Sequence, residues 1–173
     1  MGVPQTRHRV FFIAVKNNID FNLEYLNMGF NYQPITYGEI RDYKGRKCCE
    51  NSKTYLLLNE AKNGESDLSA AHERLFGKIS FFQNRILYNN QIVSTIRAKS
   101  NDFWALDTKI GMSSTEIISA QTFPQDYDFI TSTYSNVSYI CGMSVPPIMI
   151  KRIVTRLIES GLFDYKLKQR SVN

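Results

Sequence analysis

The chain has 173 residues, 43% of them hydrophobic, and no run approaching the roughly 18 apolar residues of a membrane helix, so it reads as one ordinary domain or a piece of a larger one with no membrane role. Three cysteines, Cys48, Cys49 and Cys141, are too few for a disulfide framework, and His8 and His72 stand at no spacing that suits a metal or a catalytic triad. The compartment is therefore expected to be intracellular and reducing, and no metal is expected. The net charge of +5 and a pI near 9.1 lean toward an acidic partner, of which nucleic acid is the commonest; a solvated basic surface is the alternative.

Gly2-Val3-Pro4-Gln5-Thr6-Arg7-His8-Arg9 leads into an aromatic-rich apolar run at residues 10–15, which reads as a strand buried on both faces. Such a strand needs neighbours, and few candidates follow, so its sheet partners are expected on another chain or on a missing upstream part. Residues 16–30 are of mixed polarity, with Asn17, Asn18 and Asn27 marking loops. Thr36 is placed to cap a short helix with Glu39 at its third position. Residues 41–54 form a polar loop, residues 55–63 a helix ended by Asn63-Gly64, and residues 69–76 a further turn of helix stopped by Gly77. Residues 80–87 and 91–97 read as two strands around an Asn89-Asn90 turn.

Between residues 30 and 108 the chain is thus an irregular module of short pieces. Arg85, Tyr88, Asn89, Arg97, Lys99, Asn101 and Trp104 are interleaved there, a mixture that suits DNA phosphates and base edges. Polar loops around a small aromatic core are the other reading. Ser113 and Glu116 form a capping box for a helix that must stop near Thr122, ahead of Phe123-Pro124. In Cys141-Gly142-Met143-Ser144-Val145-Pro146-Pro147, Gly142 permits either a positive φ or a close approach by another group, and the prolines suit the start of a helix. Behind them Met149, Ile150, Ile153, Val154, Leu157 and Ile158 share one helical face, and Ser160-Gly161 ends it.

Three blocks stand in a fixed order: Gln5-x-Arg7-x-Arg9 before the apolar run; Ser113, Glu116, Gln121, Phe123, Pro124 and Tyr127 at a helix and turn; and Gly142 to Pro147, with Met143 where asparagine is usual. Ser94-Thr95-Ile96 lies in the variable stretch between the first two. The ordered set resembles the C-terminal part of a DNA cytosine-5 methyltransferase and covers nearly the whole chain. The resemblance implies an α/β fold: the C-terminal portion of a Rossmann-like methyltransferase, one strand plus C-terminal helices, with a small, irregular, β-rich target recognition domain inserted. It implies the end of the catalytic-domain sheet at 1–29, target recognition at 30–108, and helices returning to the catalytic domain at 109–173.

By the same resemblance, Arg7 and Arg9 face a flipped cytosine and its phosphate, and Gln5 braces that loop. Thr95, Ile96, Arg97 and Lys99 meet double-stranded DNA, and Ser144 and Val145 close one wall of an S-adenosylmethionine pocket. Met143 removes an amide and puts contact at 143 in doubt. The setting implied is cytoplasmic, bacterial or phage, in a restriction-modification system. The Pro-Cys nucleophile loop and Glu-Asn-Val segment of the resembled enzymes have no counterpart, and Glu50-Asn51-Ser52 falls in the wrong order. The chain therefore reads as the recognition component of a split enzyme whose catalytic half lies elsewhere, as a noncatalytic DNA-binding remnant, or as a cut-down version of a longer enzyme. The purified chain alone is expected to incorporate no tritiated methyl groups into DNA; incorporation above background would show that a nucleophile had been overlooked.

Overall fold

Two short parallel strands divide the interior into two apolar cores. In the computed structural model, which describes residues 1–98, 102–130 and 133–164, Arg85–Leu87 (β1) pairs with Phe103–Ala105 (β2) in the register Arg85↔Phe103, Ile86↔Trp104, Leu87↔Ala105. Side chains alternate across a strand, so one strand pair can serve two cores. Leu87, Phe103 and Ala105 enter the larger core with Tyr37, Ile96, Ile117, Ala120, Val137 and Cys141. Ile86 and Trp104 turn to the smaller one, with Cys48, Leu57, Leu58, Leu68 and Ala71.

The helices begin and end where local chemistry favours it. Thr36 and Glu39 form the capping box of α1 (Tyr37–Ile40). The Ser52 side chain accepts from Tyr55 N at the start of α2 (Lys53–Glu60), and α3 (Ser69–Phe76) stops at Gly77, which has a φ of 70°. The capping box of Ser113 and Glu116 starts α4 (Ser114–Gln121), which closes on Thr122 in the left-handed region. The helix expected at 55–63 is real but lies two residues earlier and ends sooner.

The strand expected at 10–15 is not formed. That segment pairs with no strand among the described residues, and Val10 and Phe12 are 78% and 94% exposed while Phe11 and Ile13 are half-buried. An isolated strand has nothing to satisfy its amides except water, so a run of strand-forming residues without a neighbour stays unpaired. The hairpin expected around Asn89-Asn90 is also replaced. Gln91 N turns back to Tyr88 O, Val93 pairs with Gln5, and β1 takes β2 as its neighbour instead. The 30–108 stretch is accordingly not β-rich: its named elements are three helices and two three-residue strands among the described residues.

The stretch before Gly142 holds a helix that polarity alone did not reveal, α5 (Tyr134–Met143). Ser144, Val145 and Pro146 separate it from α6 (Pro147–Glu159), which carries Pro147 in its first turn. Residues 134–159 together have the length and apolarity of a membrane span, but they form two helices, with Val137, Cys141, Met149 and Ile153 buried in the chain. One edge of the α6 apolar stripe, Met149 and Ile153, faces inward; Ile150, Val154 and Ile158 are exposed.

Glu116 does more than cap its helix. Almost fully buried, it accepts from Ser113 N at 2.9 Å, Asp42 N at 2.9 Å and the Tyr37 hydroxyl at 3.3 Å, so it joins α4 to α1 and the loop after it. Burial raises its pKa above the ordinary carboxylate value, and burial followed by the charge of Glu116 raises that of the Tyr37 phenol. Removing this acceptor leaves buried N–H groups unpaired, at about 1–3 kcal/mol each. Glu116→Ala is expected to lower the urea unfolding free energy by about 2–4 kcal/mol; a loss within about 0.5 kcal/mol would mean that the buried donors find water instead.

Candidate nucleic-acid interface

The N-terminal segment docks first through its backbone. Thr6 N donates to Val93 O at 2.8 Å and Val93 N to Pro4 O at 3.2 Å, a parallel bridge that sets Gln5 beside Val93. The Thr95 hydroxyl donates to Thr6 O. Gln5 is thereby carried into the interior, where its amide is spent in both directions: Nε2 donates to Ala120 O at 3.0 Å and to the Gln121 side-chain oxygen, and Oε1 accepts from Ile96 N at 3.3 Å. Gln121 continues the chain of amides, donating from Nε2 to Ser144 Oγ at 2.6 Å and to Ser144 O at 3.1 Å.

Arg7 completes the junction. The residue is 7% exposed, and no carboxylate accepts from it among the described residues. Nη1 donates to Ile96 O at 2.7 Å, and Nη2 donates to Gly142 O at 2.7 Å and Ser144 O at 2.6 Å. Burial, with Arg9 adding to it, lowers the pKa of this guanidinium; an arginine begins so high that it stays charged. Gly142 permits the junction by close approach rather than by positive φ. A Cβ there would lie 2.2 Å from Arg97 C and 2.3 Å from Ala98 N, so only glycine lets the end of α5 lie against the 97–98 backbone.

The geometry separates the two arginines that the spacing grouped. Arg7 faces three carbonyls, whereas Arg9 is exposed and donates only to His8 O, at 2.7 Å, among the described residues. Arg7, Arg9, Phe11, Ile13, Phe30 and Tyr32 line a cleft of ≈ 540 Å³ together with Met149 and Ile153. Across from Gly2, Arg152 lies over the Tyr32 ring at 3.7 Å. Thr95 is half-buried and Arg97 exposed. Ile96 is fully buried in the larger core, so its side chain has no surface to offer DNA, and its backbone does the joining. Lys99 lies outside the described residues.

Ser144 is likewise committed internally. Its hydroxyl accepts from Gln121 and donates to Cys141 O at 2.8 Å, and its carbonyl takes Arg7 and Gln121. Val145 is half-buried next to the exposed Met143. Cys141 is no nucleophile: it is fully buried, and burial, opposed only by Arg7, pushes its thiol up to about 12. Among the described residues, no three His, Cys, Asp or Glu side chains gather to hold a metal ion. Sequence reasoning placed Gln121 in a block but gave it no task. Its task depends on Gln5 and Ser144, 116 and 23 residues away, and no local spacing signals such a meeting.

An N-terminal arginine-glutamine segment, a mid-chain leg and a C-terminal turn thus meet in one polar junction beside a largely apolar cleft that the exposed Arg9 also lines. The sequence model of the C-5 cytosine-specific DNA methylase family matches residues 1–159, and the chain belongs to that family. No curated protein and no solved structure matches it.

The two arginines should separate in a stability measurement. Arg7→Met is expected to lower the thermal midpoint by about 6–12 °C, since it removes three charge-assisted hydrogen bonds from a chain of this size. Arg9→Ala should lower it by less than about 2 °C. Equal shifts, followed by circular dichroism, would contradict the division of roles.

Proposed function

We propose that this chain is the recognition component of a DNA cytosine-5 methyltransferase, working in the bacterial or phage cytoplasm on double-stranded DNA with a catalytic half held on a separate chain or missing segment. The observation that carries the proposal is the junction at Arg7, Gln5 and Gln121, where the three blocks of the family pattern are tied together in a chain whose sequence has no Pro-Cys nucleophile loop. Residues 1–29 then contribute to the catalytic sheet, 30–108 form the target recognition domain, and 109–173 return to the catalytic domain. The unpaired segment 10–15 and the bare edge of α6, with Ile150, Val154 and Ile158, are the surfaces offered to the catalytic half.

Arg9 is the exposed cation for the phosphate or the extruded base, where a guanidinium fork matches paired oxygens. Arg7 and Gln5 hold the segment from which it projects. Thr95 and Arg97 stand on the leg that Arg7 fixes through Ile96 O, and both lie toward DNA. S-adenosylmethionine supplies the methyl group when bound. The residues present fit one wall of its pocket: Val145 gives an apolar, half-buried surface, while Ser144 holds the turn because its polar atoms are already engaged. The nucleophilic cysteine belongs to the other half. A noncatalytic remnant would share the DNA-binding surface and lack the partner.

Two measurements test the reading. The chain should bind duplex DNA with affinity that falls as salt rises, and Arg9→Ala should make the log–log slope shallower by about one phosphate contact. Adding an N-terminal half that carries the Pro-Cys loop should restore methyl transfer, with Arg9→Ala lowering its rate by 10-fold or more, about the size of one lost charge-assisted contact. DNA binding without restoration would favour the remnant; no DNA binding would refute both.

A further inference from the structure

The amides of Gln5 and Gln121 form a relay whose direction is fixed at both ends. Ile96 N can only donate, and it donates to Gln5 Oε1 at 3.3 Å. Ala120 O and Ser144 O can only accept, and they take Gln5 Nε2 at 3.0 Å and Gln121 Nε2 at 3.1 Å. Gln121 Oε1 must therefore face Gln5 Nε2, and neither amide can turn over without setting like groups against each other. Both glutamines are buried, so these bonds are made within the protein rather than with solvent.

The relay ends where the two parts of the proposed site begin. Gln5 stands four residues before Arg9, the exposed cation, and Ser144 directly precedes Val145, the apolar wall. The end of α4 is tied to the second part once more, because Thr122 Oγ1 accepts from Ile148 N at 3.2 Å. Among the described residues Gln121 alone bonds to both Gln5 and Ser144. Its side chain is fully buried, so it meets neither DNA nor cofactor itself. Without its amide, Gln5 keeps Ala120 O and Ile96 N, the Ser144 hydroxyl keeps Cys141 O, and the Ser144 carbonyl keeps Arg7. Each partner retains another bond, so what is lost is orientation more than stability.

We propose that Gln121 is a positioning residue for methyl transfer. Through Gln5 and Ser144 it sets the spacing between the segment that carries Arg9 and the turn that forms one wall of the cofactor pocket. Methyl transfer requires the acceptor carbon and the donor methyl to approach along one line, and a misplacement of about 1 Å can cost about 100-fold in rate. This inference rests on the proposed function, which supplies the two ends that Gln121 joins.

The test compares wild type with Gln121→Met, a change that keeps the length of the side chain and removes the amide, in the chain assembled with an N-terminal half carrying the Pro-Cys loop. The kcat of methyl transfer should fall by about 10-fold or more. The KM values for duplex DNA and for S-adenosylmethionine should each change by less than about 3-fold, because neither site loses a contact. Ser144→Ala removes only the hydroxyl end of the relay and should give a smaller fall of the same kind, and the double variant should be no slower than Gln121→Met alone. In the free chain, amide exchange read by mass spectrometry should quicken in Gln121→Met by about 10-fold or more at residues 5–9 and 142–145 and stay unchanged at β1 and β2. If Gln121→Met does not fold, Ser144→Ala carries the same comparison. An unchanged kcat, a rise in KM alone, or faster exchange throughout the chain overturns this inference and leaves the proposed function standing. A wild-type assembly without methyl transfer overturns both.

Discussion

The buried guanidinium of Arg7 is the contact on which the arrangement of the chain depends. The last carbonyls of any helix lack partners within the helix, and they carry its negative end. At the end of α5 three of them have partners: Ser144 N bonds to Ile140 O and Cys141 O, the Ser144 hydroxyl also reaches Cys141 O, and Arg7 takes Gly142 O. The same guanidinium reaches Ser144 O and Ile96 O. One positive charge thus closes a helix end and draws the N-terminal segment, the mid-chain leg and the C-terminal turn to a common point. Glycine at 142 makes the approach possible, because any side chain would meet the backbone of residues 97 and 98.

Around that junction the polar groups form a connected set rather than isolated pairs. Gln5 and Gln121 each use both ends of the amide, and Glu116 collects two backbone donors and a phenol at the other end of α4. Buried polar groups are costly unless they are satisfied, so a set of this kind favours one arrangement of the segments over others. The proposed DNA contacts lie outside that set: Arg9 and Arg97 are not drawn into it and remain exposed.

The apolar surface shows the opposite condition. Phe12 and Val10 on the extended segment, and Ile150, Val154 and Ile158 on α6, stay in water although their residue types favour burial. Within the chain these segments have inner edges, Phe11 and Ile13 or Met149 and Ile153, that line the cleft, and outer edges that nothing covers among the described residues. Such faces commonly mark surfaces of association.

Much of the local structure was legible in the sequence because it depends on near neighbours. Thr36 with Glu39, Ser113 with Glu116, Gly77 after α3 and Pro147 at the start of α6 act within one helical turn, and all are found where the spacing put them. The family, too, could be read from ordered blocks. Residues 91–97 were misread as a strand, and residues 10–15 form none within this chain, because strand propensity records a preference for a pleated, paired surface and cannot say whether a partner is present. The different tasks of Arg7 and Arg9 were hidden for a similar reason. Two arginines one residue apart look alike in sequence, and what distinguishes them is the set of carbonyls delivered by residues 96, 142 and 144. Short-range sterics and capping were determined by the sequence itself; which charge is buried and which stays exposed was decided by the tertiary structure, because desolvation depends on what the distant chain brings alongside.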